Sequence, residues 1–247
     1  MTVPYHRTCG VILRCTEYSE SSQVAAILTP DLGQIHVLAK GARRPRKDGR
    51  GALDLLDYCD LVLARRAAGQ LHILADWSLR ERFPRLRADL ERIWAACYAL
   101  EIALGASEEN AEDGAVCHDL VDLLRALDRG ENEDLALFRF LFRALRTLGH
   151  VPATENCTQC SGPLHGRTRF SPASGGALCG ACNLLDPSAF PISRGSLAVM
   201  TRLAAGGPDA PLRLTRDQIR EIRRAFNDQI QYHLGKPLRS ERFLAEV

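Results

Sequence analysis

No stretch of 18 or more apolar residues occurs in the 247-residue chain, and its start, MTVPYHRTCG, lacks the apolar run of a secretory signal. Both absences lead us to expect a soluble, cytoplasmic protein. The signatures of common catalytic machinery are missing as well. GARRPRKDG does not end in the Gly-Lys-Ser/Thr of a phosphate-binding loop, and neither HExxH nor GxSxG occurs. GRGALD (49–54) resembles part of a dinucleotide fingerprint but lacks the third glycine and lies in a basic segment. The seven histidines (6, 36, 72, 118, 150, 165 and 233) show no acid or nucleophile partner at a recognisable spacing. No carboxylate cluster suggests a metal-dependent nuclease, so we expect no enzyme. Lysine is scarce: 29 of the 32 cations are arginine, whose planar guanidinium suits bidentate contacts to phosphate.

What is present suffices for a sizeable core, since 46% of the residues are hydrophobic and 25% charged. The formal charge of +2 hides a segregation: residues 1–80 carry +3, 81–150 carry −5, 151–184 carry +1 and 185–247 carry +3. The densest basic run is AKGARRPRKDGR (39–50), where Lys40, Arg43, Arg44, Arg46, Lys47 and Arg50 face one acid, Asp48. Such a run is either a solvated loop or a clamp for a polyanion.

The hydrophobic pattern changes period along the chain. Short runs at 8–18, 23–29, 34–41, 57–66 and 70–77 read as strands, with TPDLG (29–33) and AAGQ as hairpin connections. Five strands meandering over about eighty residues suit a small closed barrel of the OB-fold type, and place the basic run after the third strand. From residue 84 the period becomes helical. One helix (86–105) is expected to carry the stripe Leu86, Leu90, Ile93, Cys97, Leu100 and Leu104. Further helices follow at 116–130, 133–150, 193–206 and 215–235, the last opening on a Thr215/Gln218 capping box. On it Arg216, Arg220, Arg223 and Arg224 share a face beside Ile219, Ile222, Phe226 and Ile230, a second candidate basic surface.

Five of the nine cysteines (Cys9, Cys15, Cys59, Cys97 and Cys117) are scattered through apolar stretches as small hydrophobes. The other four form two CxxC pairs, Cys157/Cys160 and Cys179/Cys182, eighteen residues apart. This spacing predicts one tetrahedral, four-thiolate, structural Zn2+ site, since each pair spans one edge and a closed site leaves no position for substrate. His165, inside the insert, is expected at the surface and not as a ligand.

Together, YSE (18–20), TPDLG (29–33), AKGARR (39–44), LRTLGH (145–150) followed by VP, CTQC, and FSPASGGALCGAC resemble the bacterial recombination mediator and DNA repair family RecO, over essentially the whole chain. The resemblance implies an α+β multidomain protein: an OB-fold domain at 1–80, and a helical domain at 81–150 and 185–247 interrupted by a zinc-ribbon insert at 151–184. It also implies binding to single- and double-stranded DNA, strand annealing without ATP, and cooperation with RecR and the single-strand binding protein to load RecA. Some members of the family lack the cysteines; this chain has all four. A transcription-associated zinc-ribbon protein would share the four-cysteine site and the basic patches, and is the alternative expectation.

Overall fold

Short runs rich in apolar residues form β1 (Tyr5–Glu17), β2 (Gln23–Thr29), β3 (Gly33–Ala39), β4 (Tyr58–Ala64) and β5 (His72–Glu81). The structure is a computed structural model that describes residues 5–44, 51–66, 70–107, 114–184, 186–205 and 213–241. The five strands close into a barrel in the order β1-β2-β3-β5-β4. Neighbours are antiparallel except β3 and β5, which run parallel. This is the strand order of an OB-fold. β1 makes closure possible because it is long enough to serve two partners: residues 5–11 pair with β4 and 11–17 with β2. A register shift between Ile12 and Arg14 bends it where it changes partner. Ile12, Ile27, Ile35, Val37, Leu61, Leu63 and Trp77 fill the interior.

Helices α1 (Pro84–Arg87), α2 (Leu90–Ala106) and α3 (Ala115–Arg129) follow. The single helix expected from residue 86 is broken because Asp89 starts a new one, its side chain accepting from the backbone N–H groups of Glu91 and Arg92. The N–H groups of Arg85 and Leu86, in the first turn of α1 and so without an intrahelical acceptor, donate to Asp128 Oδ1 at 2.8 and 3.1 Å. The buried face of α2 also differs from the expected stripe. It consists of Ala95, Ala96, Tyr98, Ala99, Leu100, Ile102 and Ala103, while Leu90 is exposed. Apolar residues surround α2 on most sides, so its period does not mark one face. Beneath α1, the buried carboxylate of Asp57 accepts from Arg82 at 3.1 Å and Arg87 at 2.9 Å. These partners compensate the desolvation of the charge.

The chain divides into two compact units, Met1–Glu131 and Asn132–Glu246. This groups α1–α3 with the barrel, a different partition from the four segments expected from sequence. In the first unit Cys117 of α3 donates its S–H to Leu28 O of β2 at 3.4 Å.

The second unit contains α4 (Glu133–Thr147), three short strands, α5 (Arg194–Ala204) and α6 (Arg216–Leu234). Phe138, Leu141 and Leu145 of α4, Leu197 and Met200 of α5, and Ile222, Phe226 and Ile230 of α6 are buried. Phe138 and Phe226 meet with ring centroids 5.9 Å apart. The capping box forms: Thr215 Oγ1 accepts from Gln218 N at 3.2 Å and Gln218 Oε1 from Thr215 N at 3.0 Å. Strands β6 (Arg169–Ser171), β7 (Gly176–Leu178) and β8 (Phe190–Pro191) form a sheet in the order β7-β6-β8, whose third strand comes from beyond residue 184. Among the described residues, no helix is long and apolar enough to cross a membrane.

Glu221 of α6 braces the start of α5, accepting from the backbone N–H of Ser193 at 2.8 Å and the Ser196 hydroxyl at 2.6 Å. Burial raises its pKa, but these donors outweigh burial and hold it below the usual value. A depressed folded-state pKa stabilises above the unfolded value, and that contribution disappears as pH falls through the folded one. Glu221→Gln should therefore lose about 1 kcal/mol at pH 7, relative to the parent, given partial solvent screening. Urea unfolding at pH 7 and pH 3.5 checks this; the difference should shrink at the lower pH.

Candidate functional site

The ribbon brings the two CxxC pairs together. Each pair sits on a tight turn: Ser161 N donates to Cys157 O at 2.8 Å, and Cys182 N to Cys179 O at 3.1 Å. β6 and β7 carry the chain between them. Gly176, at φ +153°, lies where a Cβ would stand 2.2 Å from Ala153 O, so only glycine lets the ribbon close against the segment leading to Cys157. All four Sγ atoms lie within 4.8 Å of one another, with Cys160 and Cys179 Sγ 3.9 Å apart. A tetrahedral ion with Zn–S bonds of about 2.3 Å needs sulfur edges of about 3.8 Å, whereas a disulfide needs about 2.05 Å. The group can therefore hold a metal ion. Cys157 and Cys179 are buried, Cys182 half-buried and Cys160 exposed. Burial pushes the Cys157 thiol up, but backbone N–H groups of Cys179, Cys160 and Gln159 outweigh this and bring it to about 6. Burial and its thiol neighbours push Cys182 up to about 12. Thiols so close ionise together only around a cation. His165 is exposed and outside the cluster.

The basic run leaves the barrel at the end of β3. Lys40, Arg43 and Arg44 are exposed, whereas Ala42 between them is fully buried in the barrel core. Gly41 supplies the left-handed turn, φ +66°, that permits this alternation. The connection is tied to the β1–β2 turn: Gly41 N donates to Ser22 Oγ at 3.4 Å and Arg43 N to Ser21 O at 3.1 Å. Its far end is held by the Gln23 side chain, which bonds both N and O of Leu53, at 3.0 and 3.2 Å. Arg43 pairs with Glu17 at 3.0 Å. Lys40 and Arg44 have no carboxylate partner among the described residues and, with Tyr18, line a concavity of about 400 Å³. Arg46, Lys47 and Arg50 lie outside the described residues.

On α6 the arginines are differently placed. Arg220 pairs with Asp217, and Arg224 with Asp228 at 3.4 Å. The Arg224 guanidinium also lies 4.1 Å from the centre of the Phe190 ring. Arg223 bonds Asp134 of α4 at 2.8 Å and is largely buried, which makes it part of the packing of α6 on α4. Arg216 is exposed and has no carboxylate partner among the described residues.

Two features escape the sequence. Tyr18, on the β1–β2 turn, is 66% exposed beside Lys40 and Arg44; its only sequence signal is a place in YSE. His6, moreover, has an acid partner: its Nε2 lies 2.6 Å from Asp31 Oδ2, and Asp31 also accepts from the Thr8 hydroxyl. Asp31 sits between the other two, so the imidazole does not face the hydroxyl as a base activating a nucleophile must.

Fold and site define a multidomain protein with an OB-fold barrel, a basic rim and a helical unit carrying a four-thiol ribbon. The profile described as Recombination protein O N terminal matches residues 1–83, and that described as Recombination protein O C terminal matches 87–242. The chain is 35% identical over 241 residues to the DNA repair protein RecO of Anaeromyxobacter dehalogenans, covering 96% of this chain and 95% of that protein. It is 36% identical over 248 residues to that of Roseiflexus sp., covering 98% and 86%. The chain belongs to the RecO family, whose role is in DNA repair and recombination.

Metal binding at the four thiols must displace protons. Elemental analysis should find one ion per chain at neutral pH and progressive loss on acidification, as protons compete for the thiolates. Cys157→Ser with Cys160→Ser should abolish retention and open residues 151–184 to protease; a metal-free chain that resists protease there would contradict this.

Proposed function

We propose that this chain is a DNA-binding recombination mediator. It anneals complementary single strands without ATP and, with RecR, helps to load RecA on DNA coated by the single-strand binding protein. The observation that carries this is the pair of exposed cations without carboxylate partners among the described residues, Lys40 and Arg44, on the rim of an OB barrel in a chain of the RecO family. OB barrels commonly take single strands in a positively charged groove. Phosphate contacts from Lys and Arg need no sequence information and act equally on duplex.

Annealing follows from the same electrostatics. Two strands repel one another, and a protein that neutralises phosphates on both lowers that repulsion while the bases remain free to pair. No bond is made or broken, so the protein acts as a mediator and not an enzyme, in the cytoplasm on the nucleoid. The ribbon contributes structure: Cys157, Cys160, Cys179 and Cys182 hold one Zn2+ whose four thiolates leave no position for substrate.

The barrel rim dominates over α6. Arg216 has no carboxylate partner among the described residues, and the exposed ion pairs of Arg220 and Arg224 are weak enough to exchange for phosphate. Arg223 instead holds α6 to α4, so reversing its charge should cost stability rather than affinity alone. Arg43 adds an exposed cation to the rim, and Arg46, Lys47 and Arg50, which follow it in sequence, are part of the same proposed DNA-binding set.

Binding should weaken steeply with salt and depend little on sequence. Lys40→Glu with Arg44→Glu should reduce the salt slope by about two units and slow annealing, while Arg216→Glu should remove about one. Fluorescence titrations between 50 and 200 mM salt, on variants whose circular dichroism and Tm match the parent, check this. A double rim variant that anneals at the parent rate would make the connection a solvated loop.

A further inference from the structure

The turn between β1 and β2 holds an aromatic residue where the fold has no use for one. Tyr18 is 66% exposed, and its hydroxyl makes no hydrogen bond to any described residue. The turn is built by the backbone: Tyr18 N and Ser19 N both donate to Ser22 O, at 3.0 and 3.3 Å, and Ser22 N donates to Ser19 O at 3.4 Å. The ring is therefore not what shapes the turn, and it adds nothing to the barrel core. It lines the same concavity as Lys40 and Arg44. Glu17, the nearest acid in sequence, is occupied by Arg43. The bonds from Gly41 to Ser22 and from Arg43 to Ser21 hold the turn and the cationic connection to one another, so ring and cations keep their spacing.

From this arrangement we infer that Tyr18 stacks a nucleobase while Lys40 and Arg44 hold the adjoining phosphates, making the barrel rim selective for single-stranded over double-stranded DNA. This rests on the DNA-binding reading above and adds what that reading lacks, a source of strand selectivity. The concavity, about 400 Å³, lies in the range of small-molecule sites. Phosphate contacts alone do not distinguish single from double strands, because both present phosphates. A π-face is available to Tyr18 only on a base that is not stacked inside a duplex, and every base has one, so the contact is tolerant of sequence. Stacking also leaves the hydrogen-bonding edge of the base exposed, as pairing with a second strand requires.

The test uses the full-length chain and three labelled probes of equal length: a thymidine homopolymer, a mixed-sequence duplex, and an abasic deoxyribose-phosphate strand. Tyr18→Ala should weaken binding of the homopolymer by roughly 5- to 100-fold. It should leave the duplex, the abasic strand and the salt slope unchanged, and Tyr18→Phe and Tyr18→Trp should restore affinity. Lys40→Glu with Arg44→Glu should weaken all three. If Tyr18→Ala binds the homopolymer like the parent, or loses all three probes equally, the stacking site is wrong while the DNA-binding reading survives. A parent chain that binds none of the probes would overturn the DNA-binding reading and this inference with it; a rim variant that binds all three normally would take the DNA contact off the rim and overturn this inference alone.

Discussion

The rim of this barrel depends on a constraint exerted from inside it. A chain segment carrying Lys40, Arg43 and Arg44 would by itself spread into solvent, because like charges repel and hydrate well. Here Ala42, fully buried in the barrel core, fixes one end. Leu53, bonded through both its backbone groups to the buried Gln23 side chain, fixes the other. One residue of β2 thus satisfies the polar backbone that a loop brings to the surface of a core. Beside the first anchor, Gly41 turns the chain so that Lys40, Arg43 and Arg44 stay exposed while Ala42 goes inward. The position of the cations is a property of the core, not of the loop.

The ribbon solves the opposite problem. Its strands have three, three and two residues, well short of what pairing needs for independent stability. Its apolar content is modest: Phe170 against Phe190 at 5.7 Å, with Leu164, Ala177 and Leu178. Four cysteines, two of them buried, bring together turns that the small sheet does not fasten. A metal ion there would replace the missing core and lower the cost of gathering thiolates. Both units thus keep charge-bearing atoms in fixed places, one through buried side chains and the other through a thiol cluster.

The extent to which the sequence disclosed this follows from the range of each interaction. The strands, four of the helices and the Thr215 capping box are set by neighbours within a few residues, and their period or spacing shows it. The CxxC pairs are legible for the same reason: two local chelates need only one long-range closure. The break before α2 was missed because the caps that set it, Asp128 on the first turn of α1 and Asp89 on that of α2, carry no apolar period, and Asp128 lies 43 residues from Arg85. β8 was missed because two residues make no pattern. The His6–Asp31 and Asp57–Arg87 pairs join residues 25 and 30 apart with no period to mark them. The buried face of α2 went wrong for another reason, since its alanines admit close packing but register weakly as hydrophobic.

Two arginine-rich segments that look alike in composition differ once their partners are known, and this bears on how charge should be read. On α6, helical spacing puts Asp217 three residues from Arg220 and Asp228 four from Arg224, so the helix neutralises much of its own charge. Arg223 is committed to Asp134. An anion approaching this face must compete with carboxylates already in place. In the described part of the connection after β3, Arg43 pairs with Glu17, and Lys40 and Arg44 have no carboxylate partner among the described residues. At Lys40 and Arg44 an incoming phosphate displaces no carboxylate of the described residues. The difference arises from secondary structure: a helix pairs its charges internally, whereas a connection pinned at both ends presents them outward.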